Sequence, residues 1–137
     1  MVEALASRGS IRIWPTAISG VELRELTGGD ALAFYELVHR NRRHLTQYGD
    51  YRELAASTLQ DIESYFADPP DKNIRMGIWR RADELMGRVD LSPVAPGAFV
   101  LGYWIGSEYT GCGYVTAACR TLMDYATREL GATDFWA

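Results

Sequence analysis

Phe99-Val100-Leu101-Gly102-Tyr103-Trp104-Ile105, then Gly106-Ser107-Glu108, then Tyr109-Thr110-Gly111-Cys112-Gly113-Tyr114-Val115-Thr116 is the stretch that organises this chain. The first segment is a short, almost unbroken apolar run rich in aromatic and β-branched residues. Such a run predicts a strand buried on both faces. Gly106 ends it. From Tyr114 the pattern changes period: Val115, Ala118, Cys119, Leu122, Ala126 and Leu130 recur at spacings of three and four, which places them on one face of a helix about five turns long. Gly131 stands where a helix commonly ends in the left-handed conformation.

A strand, a glycine turn and a helix N-terminus together form an anion site. The first helical turn carries unpaired N–H donors and the positive end of the macrodipole. Glycines at 111 and 113 remove the Cβ atoms that would hold a bulky anion away, and the Thr116 hydroxyl adds a donor. The natural guest is a phosphate or pyrophosphate. Gly-x-Gly is also compatible with simple close packing of a strand-to-helix turn. The common phosphate motifs do not fit: the only lysine is Lys72, and Thr116 occupies the place of a third glycine.

Working outward, 137 residues suffice for one domain with a real core. An apolar content of 47% and a charged content of 23% are those of an ordinary globular protein. The formal charge of −4 argues against non-specific nucleic-acid binding. No apolar run approaches the length of a membrane span, and the N-terminus lacks a signal-peptide layout. Cys112 and Cys119 show no metal-ligand pattern with His39 or His44. They are expected to be reduced thiols of a cytoplasmic protein, Cys119 in the core and Cys112 near the surface.

Residues 1–20 read as an N-terminal extension, in which Ile11, Ile13 and Trp14 can pack on the body. Val21 to Leu26 alternates as a first strand. Thr27 and Asp30 form a capping box for a helix whose apolar face is Ala31, Phe34, Leu37 and Val38. The basic run His39-Arg40-Asn41-Arg42-Arg43-His44 follows; as a bare charge run it reads as a solvated face. Ser57 and Gln60 cap a second helix with Leu59, Ile62 and Phe66 as its stripe, ended by Pro69-Pro70. Ile74, Met76 and Ile78, then Leu85, Gly87, Val89 and Leu91, alternate as a hairpin around Arg81 to Glu84. Pro93 to Gly97 is expected as a loop, and Thr133 to Trp136 as a fifth strand. The order is β-α-α-β-β-β-α-β, an α+β or mixed α/β domain with helices packed on a largely antiparallel sheet.

Leu101 to Gly106 followed by Glu108 to Thr116 resembles the acyl-CoA-binding core of the GNAT superfamily of N-acetyltransferases, and most closely its RimJ/RimL-like branch of ribosomal-protein N-terminal acetyltransferases. In the family pattern Arg/Gln-x-x-Gly-x-Gly/Ala, Glu108 stands at the first position and Gly111 and Gly113 at the glycines. The resemblance extends back through Leu23-Arg24-Glu25-Leu26-Thr27 and Asn41-Arg42-Arg43-His44-Leu45, so the acetyltransferase domain is expected to span 21–137. It implies the GNAT fold. It also implies that family members continue past the fifth strand with a helix and two strands. The open edge near Thr133 to Ala137 then predicts a homodimer by strand pairing or exchange.

The resemblance implies acetyl transfer from acetyl-CoA to an amine, with no nucleic acid, membrane or metal involved. Main-chain groups of Trp104, Ile105 and Gly106 would pair with the pantetheine arm between splayed fourth and fifth strands. The amides of Gly111, Cys112, Gly113, Tyr114, Val115 and Thr116 would hold the pyrophosphate, and a fourth-strand amide would polarise the thioester carbonyl. The region of His44 and Tyr48 would line the acceptor entrance. There the basic run could recognise an acidic or carboxylate-bearing substrate or help hold the CoA phosphates. Many relatives carry a glutamate base near the position of Val100, but Ala98 to Ile105 holds no carboxylate. Asp90 and Glu108 are the substitutes, each equally readable as an ordinary polar residue. Three readings of function stand: a protein N-terminal α-amine as acceptor, a small-molecule amine as acceptor, or an inactive acyl-CoA-binding or interaction module.

Overall fold

The computed structural model describes residues 12–47, 51–67, 73–81 and 83–137. Six strands form one sheet in the order β1-β2-β3-β4-β5-β6. They are β1 (Ile13–Pro15), β2 (Val21–Glu25), β3 (Ile74–Arg80), β4 (Glu84–Ala95), β5 (Ala98–Ile105) and β6 (Asp134–Trp136). All neighbours pair antiparallel except β5 and β6, which run parallel through the crossover helix α5 (Tyr114–Glu129). Between β2 and β3 lie α1 (Ala31–Arg40), the short helices α2 (Arg42–Thr46) and α3 (Arg52–Ala55), and α4 (Leu59–Ala67).

Cross-strand partners share a face of the sheet, so register assigns the layers. Trp14, Leu23, Ile78, Gly87 and Ile105 are successive partners across β1 to β5. Their face lies under α5, where Trp14 stacks on Tyr125 at 4.3 Å. Gly77, Arg88 and Trp104 share the opposite face, where Phe34 of α1 meets Trp104 at 5.7 Å and Phe66 of α4 at 5.1 Å, both edge-on. β3 is the central strand: Ile74 to Trp79 is buried without interruption. One core therefore fills both sides of the sheet.

The start of α1 follows its sequence. The Asp30 carboxylate accepts from the Thr27 backbone N–H at 2.9 Å, closing a capping box through a 3₁₀ turn at Gly28–Asp30. The buried positions of α1 are Ala31, Phe34, Leu37 and Val38, the face expected from spacing.

Other expectations need correction. The second capping box is Thr58 with Asp61: Thr58 N–H donates to Asp61 Oδ2 at 2.9 Å and Asp61 N–H to Thr58 Oγ1 at 3.1 Å. Ser57 instead turns its hydroxyl back to the Glu53 carbonyl. Both pairs have a capping hydroxyl, but a carboxylate at the third helical position accepts from the cap N–H more strongly than an amide does. The basic run forms the end of α1 and the whole of α2 up to His44, so two short helices lie where sequence periodicity had nothing to register. β4 continues to Ala95 through a register shift between Pro93 and Ala95, leaving only Pro96 and Gly97 (φ +76°) as the turn. Leu130 falls past the end of α5 and is exposed. β5 is not buried on both faces: Val100 and Tyr103 are 38% and 42% exposed, because β5 is the penultimate strand and the helices cover only its inner part. Trp14 packs as expected and β1 extends the sheet, while Ile11, Pro69 and Pro70 lie outside the described residues.

Candidate active site

Strand β6 accompanies β5 only from Ala98 to Val100. From Leu101 to Ile105 the outer edge of β5 has no strand beside it among the described residues. The pleat decides which groups face that gap. Gly106 N–H donates inward to Met86 C=O at 2.8 Å, so by alternation Trp104 also turns its main chain to β4 while Tyr103 and Ile105 turn theirs outward. The Tyr51 hydroxyl, from the start of α3, donates to the Tyr103 carbonyl on this outer edge.

After β5 the chain folds into a rigid turn. Gly106 C=O accepts the Tyr109 N–H at 2.9 Å, and Ser107 N–H donates to Asn41 Oδ1 at 2.8 Å. Asn41 is 2% exposed, and its Nδ2 donates to the Leu37 carbonyl at 2.9 Å. One buried amide thus ties the C-terminus of α1 to the turn. Gly111 and Gly113 both have positive φ, +79° and +81°, which an L side chain adopts only at a cost. Space beside both glycines is open. Gly113 is the N-cap of α5 and no side chain caps the helix, so the amides of its first turn are left as donors.

A second cluster braces this turn from behind. Arg80 grips Glu84 in a two-pronged pair at 3.0 and 2.9 Å and donates to the Tyr114 hydroxyl at 3.1 Å. The Tyr109 hydroxyl donates to Glu84 Oε2 at 2.8 Å. Burial, helped by the Glu84 carboxylate, pushes the Tyr109 phenol up to about 12. The Arg80 and Tyr109 hydrogen bonds hold the Glu84 carboxyl below its ordinary value.

These elements enclose a cavity of about 450 Å³ lined by His44, Leu45 and Tyr51 on one side, by Tyr103, Trp104 and Ile105 of β5, and by the turn from Tyr109 to Thr116. It gathers most of the expected residues: His44, Trp104, Ile105, Gly111, Gly113, Tyr114, Val115 and Thr116. Gly106 is buried behind the wall with both main-chain groups engaged, and Cys112 is exposed beside the cavity. Cys119 is half-buried inside α5, and burial raises its thiol pKa. Asp90 lies elsewhere, with Oδ2 3.0 Å from Arg88 Nε beneath Gly102, and Glu108 pairs with Arg40 at 3.5 Å outside the lining. Tyr48 is outside the described residues. Among the described residues no group of His, Cys, Asp and Glu could hold a metal ion, and no helix is long and apolar enough to cross a membrane.

Asn41, Tyr51, Arg80 and Glu84 were not legible as site residues. Each acts through a partner distant in sequence, as Asn41 does on Ser107. The only local signal was Asn41, a polar residue at the end of an apolar helical face.

A mostly antiparallel sheet with one parallel strand, a glycine turn and an uncapped helix N-terminus surround this cavity. The family model described as "Acetyltransferase (GNAT) domain" matches residues 21–137, and the chain belongs to that family. Among curated proteins it is 26% identical over 126 residues to YdaF of Bacillus subtilis (strain 168), a candidate ribosomal N-acetyltransferase by name. That match covers 80% of this chain and 63% of YdaF, so the chain spans less than two thirds of that relative's length. Among solved structures, RimL, a ribosomal L7/L12 alpha-N-protein acetyltransferase, superposes in its apo form with a TM-score of 0.81 at 20% identity, covering 96% of this chain and 75% of RimL. RimL in complex with coenzyme A gives 0.75 at 21% identity, covering 86% and 70%. These likenesses establish the fold.

Proposed function

We propose that this chain transfers an acetyl group from acetyl-CoA to a primary amine, and that the amine is the N-terminal α-amine of a protein. The observation that carries this reading is the shared cavity. The uncapped start of α5 and the stretch of β5 with no strand beside it among the described residues line the same space, so one elongated ligand with a phosphate end and an amide-bearing arm would meet both. The coenzyme A complex of RimL, on the same fold, supports the choice of cofactor. The names of RimL and YdaF support a protein amine as acceptor.

The residues present fit such a cofactor. The amides from Gly111 to Thr116 would hold the pyrophosphate, with Gly111 and Gly113 leaving room for it. The outward main-chain groups of Tyr103 and Ile105 would hold the amide-bearing arm as an added strand. Acetyl-CoA supplies the activated acetyl thioester. The outward N–H groups of β5, already oriented by the sheet, would stabilise charge developing on an acyl oxygen held beside them. Asn41 and the Arg80–Glu84–Tyr109 cluster keep the turn in place before any ligand arrives. The incoming amine must lose a proton. Of the described side chains on the cavity wall, His44 offers an imidazole nitrogen that can take up that proton, directly or through water.

The test is the melting temperature with and without saturating acetyl-CoA, followed by thiol release across peptides and small amines. A ligand at about 100 times its dissociation constant adds roughly 2.7 kcal/mol, a shift of several degrees. A shift with thiol release on peptide N-termini is expected. Release only on small amines would move the acceptor to that class. A shift without release on any acceptor would leave a binding module, and no shift in a folded sample would remove the cofactor site.

We also propose that the chain forms a homodimer through β6. The edge of β6 away from β5 has no strand partner among the described residues, and Trp136 on it is 61% exposed.

A further inference from the structure

We propose that the Tyr51 hydroxyl latches the cofactor slot in the ligand-free chain, at the end where the acyl group would sit, and that the cofactor's amide-bearing arm must displace it to be seated. This rests on the acetyl-CoA reading of the cavity and adds a regulation of that same site.

The helical side of the cavity is tied to β5 and its turn by contacts of two kinds. Asn41 Oδ1 accepts from both the N–H and the hydroxyl of Ser107, at 2.8 and 3.1 Å, and Arg40 pairs with Glu108 at 3.5 Å. None of these four residues lines the cavity, so a ligand there leaves both ties alone. The third tie sits on the lining itself. Tyr51 and Tyr103 both line the cavity, and the Tyr51 hydroxyl donates to the Tyr103 carbonyl. That carbonyl is one of the outward main-chain groups of β5 with no strand beside them among the described residues.

The slot has a direction. The phosphate donors begin at Gly111, and β5 leads away from them as it is read back from Ile105 to Tyr103. An arm entering from the phosphate end meets the outward groups of Ile105 first and those of Tyr103 second. An added strand gives an N–H to each outward carbonyl it passes. At Tyr103 the Tyr51 hydroxyl already holds that oxygen. The phosphate end of the slot is therefore open and its far end is occupied.

Opening the latch costs little. The released hydroxyl returns to water, and a neutral hydrogen bond of this kind is worth a factor of about five in an equilibrium. Nor must α3 leave its place. Arg42 Nε donates to the Ala55 carbonyl at 2.7 Å, and Ala55 is buried, so rotation of the Tyr51 side chain is enough. The latch tunes affinity and does not forbid binding.

Calorimetric titration of the full chain and of Tyr51→Phe compares coenzyme A with phosphoadenosine diphosphate, the same nucleotide without its arm. Tyr51→Phe is expected to bind coenzyme A about fivefold tighter and the arm-less nucleotide no differently. Coenzyme A bound equally or more weakly by the variant overturns the proposal, because the hydroxyl would then stay and serve the ligand. An equal gain for both ligands overturns it too, since the effect would not lie at the arm. Failure of both proteins to bind either ligand removes the cofactor site itself, and the latch with it. Hydrogen exchange on the parent chain gives a second readout that needs no variant. Coenzyme A is expected to quicken exchange of the Ala55 and Ala56 amides, which bond to the Tyr51 and Arg52 carbonyls, while the arm-less nucleotide leaves them unchanged. Exchange slowed or untouched by coenzyme A would mean that Tyr51 is not released.

Discussion

Tyr109 shows how a single side chain can set the conditions under which this turn survives. Its phenol is buried against the Glu84 carboxylate and its pKa is raised from 10.0 to about 12. The folded state therefore holds that proton more tightly than the unfolded chain does. Its contribution to stability is complete below pH 10.0 and is lost as the pH climbs toward about 12. Glu84 behaves in the opposite sense: its carboxyl is held low, first by Arg80 and then by Tyr109, so its contribution is present at neutral pH and disappears as acid protonates it. Tyr109→Phe is expected to flatten the alkaline fall in melting temperature and, by removing the weaker of the two hydrogen bonds that hold Glu84 low, to shrink the acid limb without abolishing it. Melting curves from neutral to strongly alkaline pH check this; an unchanged alkaline limb would remove Tyr109 as its source.

At the scale of elements, the glycine turn and the first turn of α5 act as one unit. The φ of +81° at Gly113 adds a conformational demand to the steric one read from sequence, so a bulky replacement meets two penalties. Gly113→Leu is expected to abolish coenzyme A binding and also to cost the fold about 1–2 kcal/mol for the left-handed backbone. Gly113→Asn, which tolerates that conformation, is expected to keep the stability and lose only part of the affinity. Calorimetric titration and melting of both variants check this; a Leu variant that binds as well as the parent would move the phosphate site elsewhere. Local pattern carried the long elements well: α1, α5 and the strands from β2 to β5 follow from periodicity, and Gly131 does end α5 with φ +69°. It did not carry α2 and α3, which are too short for a hydrophobic period to show, or the outward-facing parity of β5. That parity made Tyr103 and Ile105 the exposed main-chain groups, with Trp104 turned inward. It depends on which β4 carbonyl receives the Gly106 amide, a long-range fact absent from the strand's own residues.

At the scale of the whole molecule, the outermost strand among the described residues is β6, three residues long, with Trp136 61% exposed. Light scattering is expected to show a dimer, and Trp136→Lys to shift it toward monomer by placing charge on the edge. A clean monomer of the parent at high concentration would sink the dimer.

The division of labour inside the cavity has a consequence for how such a protein can change. One side addresses its ligand with backbone amides and a strand edge, which almost any sequence able to keep the fold will present. The other presents the side chains of two small helices, α2 and α3, each anchored in the core by one residue, Leu45 and Ala55. Substitutions on α2 and α3 can therefore change that side of the cavity while the backbone side stays as it is. The fold persists at 20% identity to RimL, so what the backbone offers outlasts most of the side chains around it.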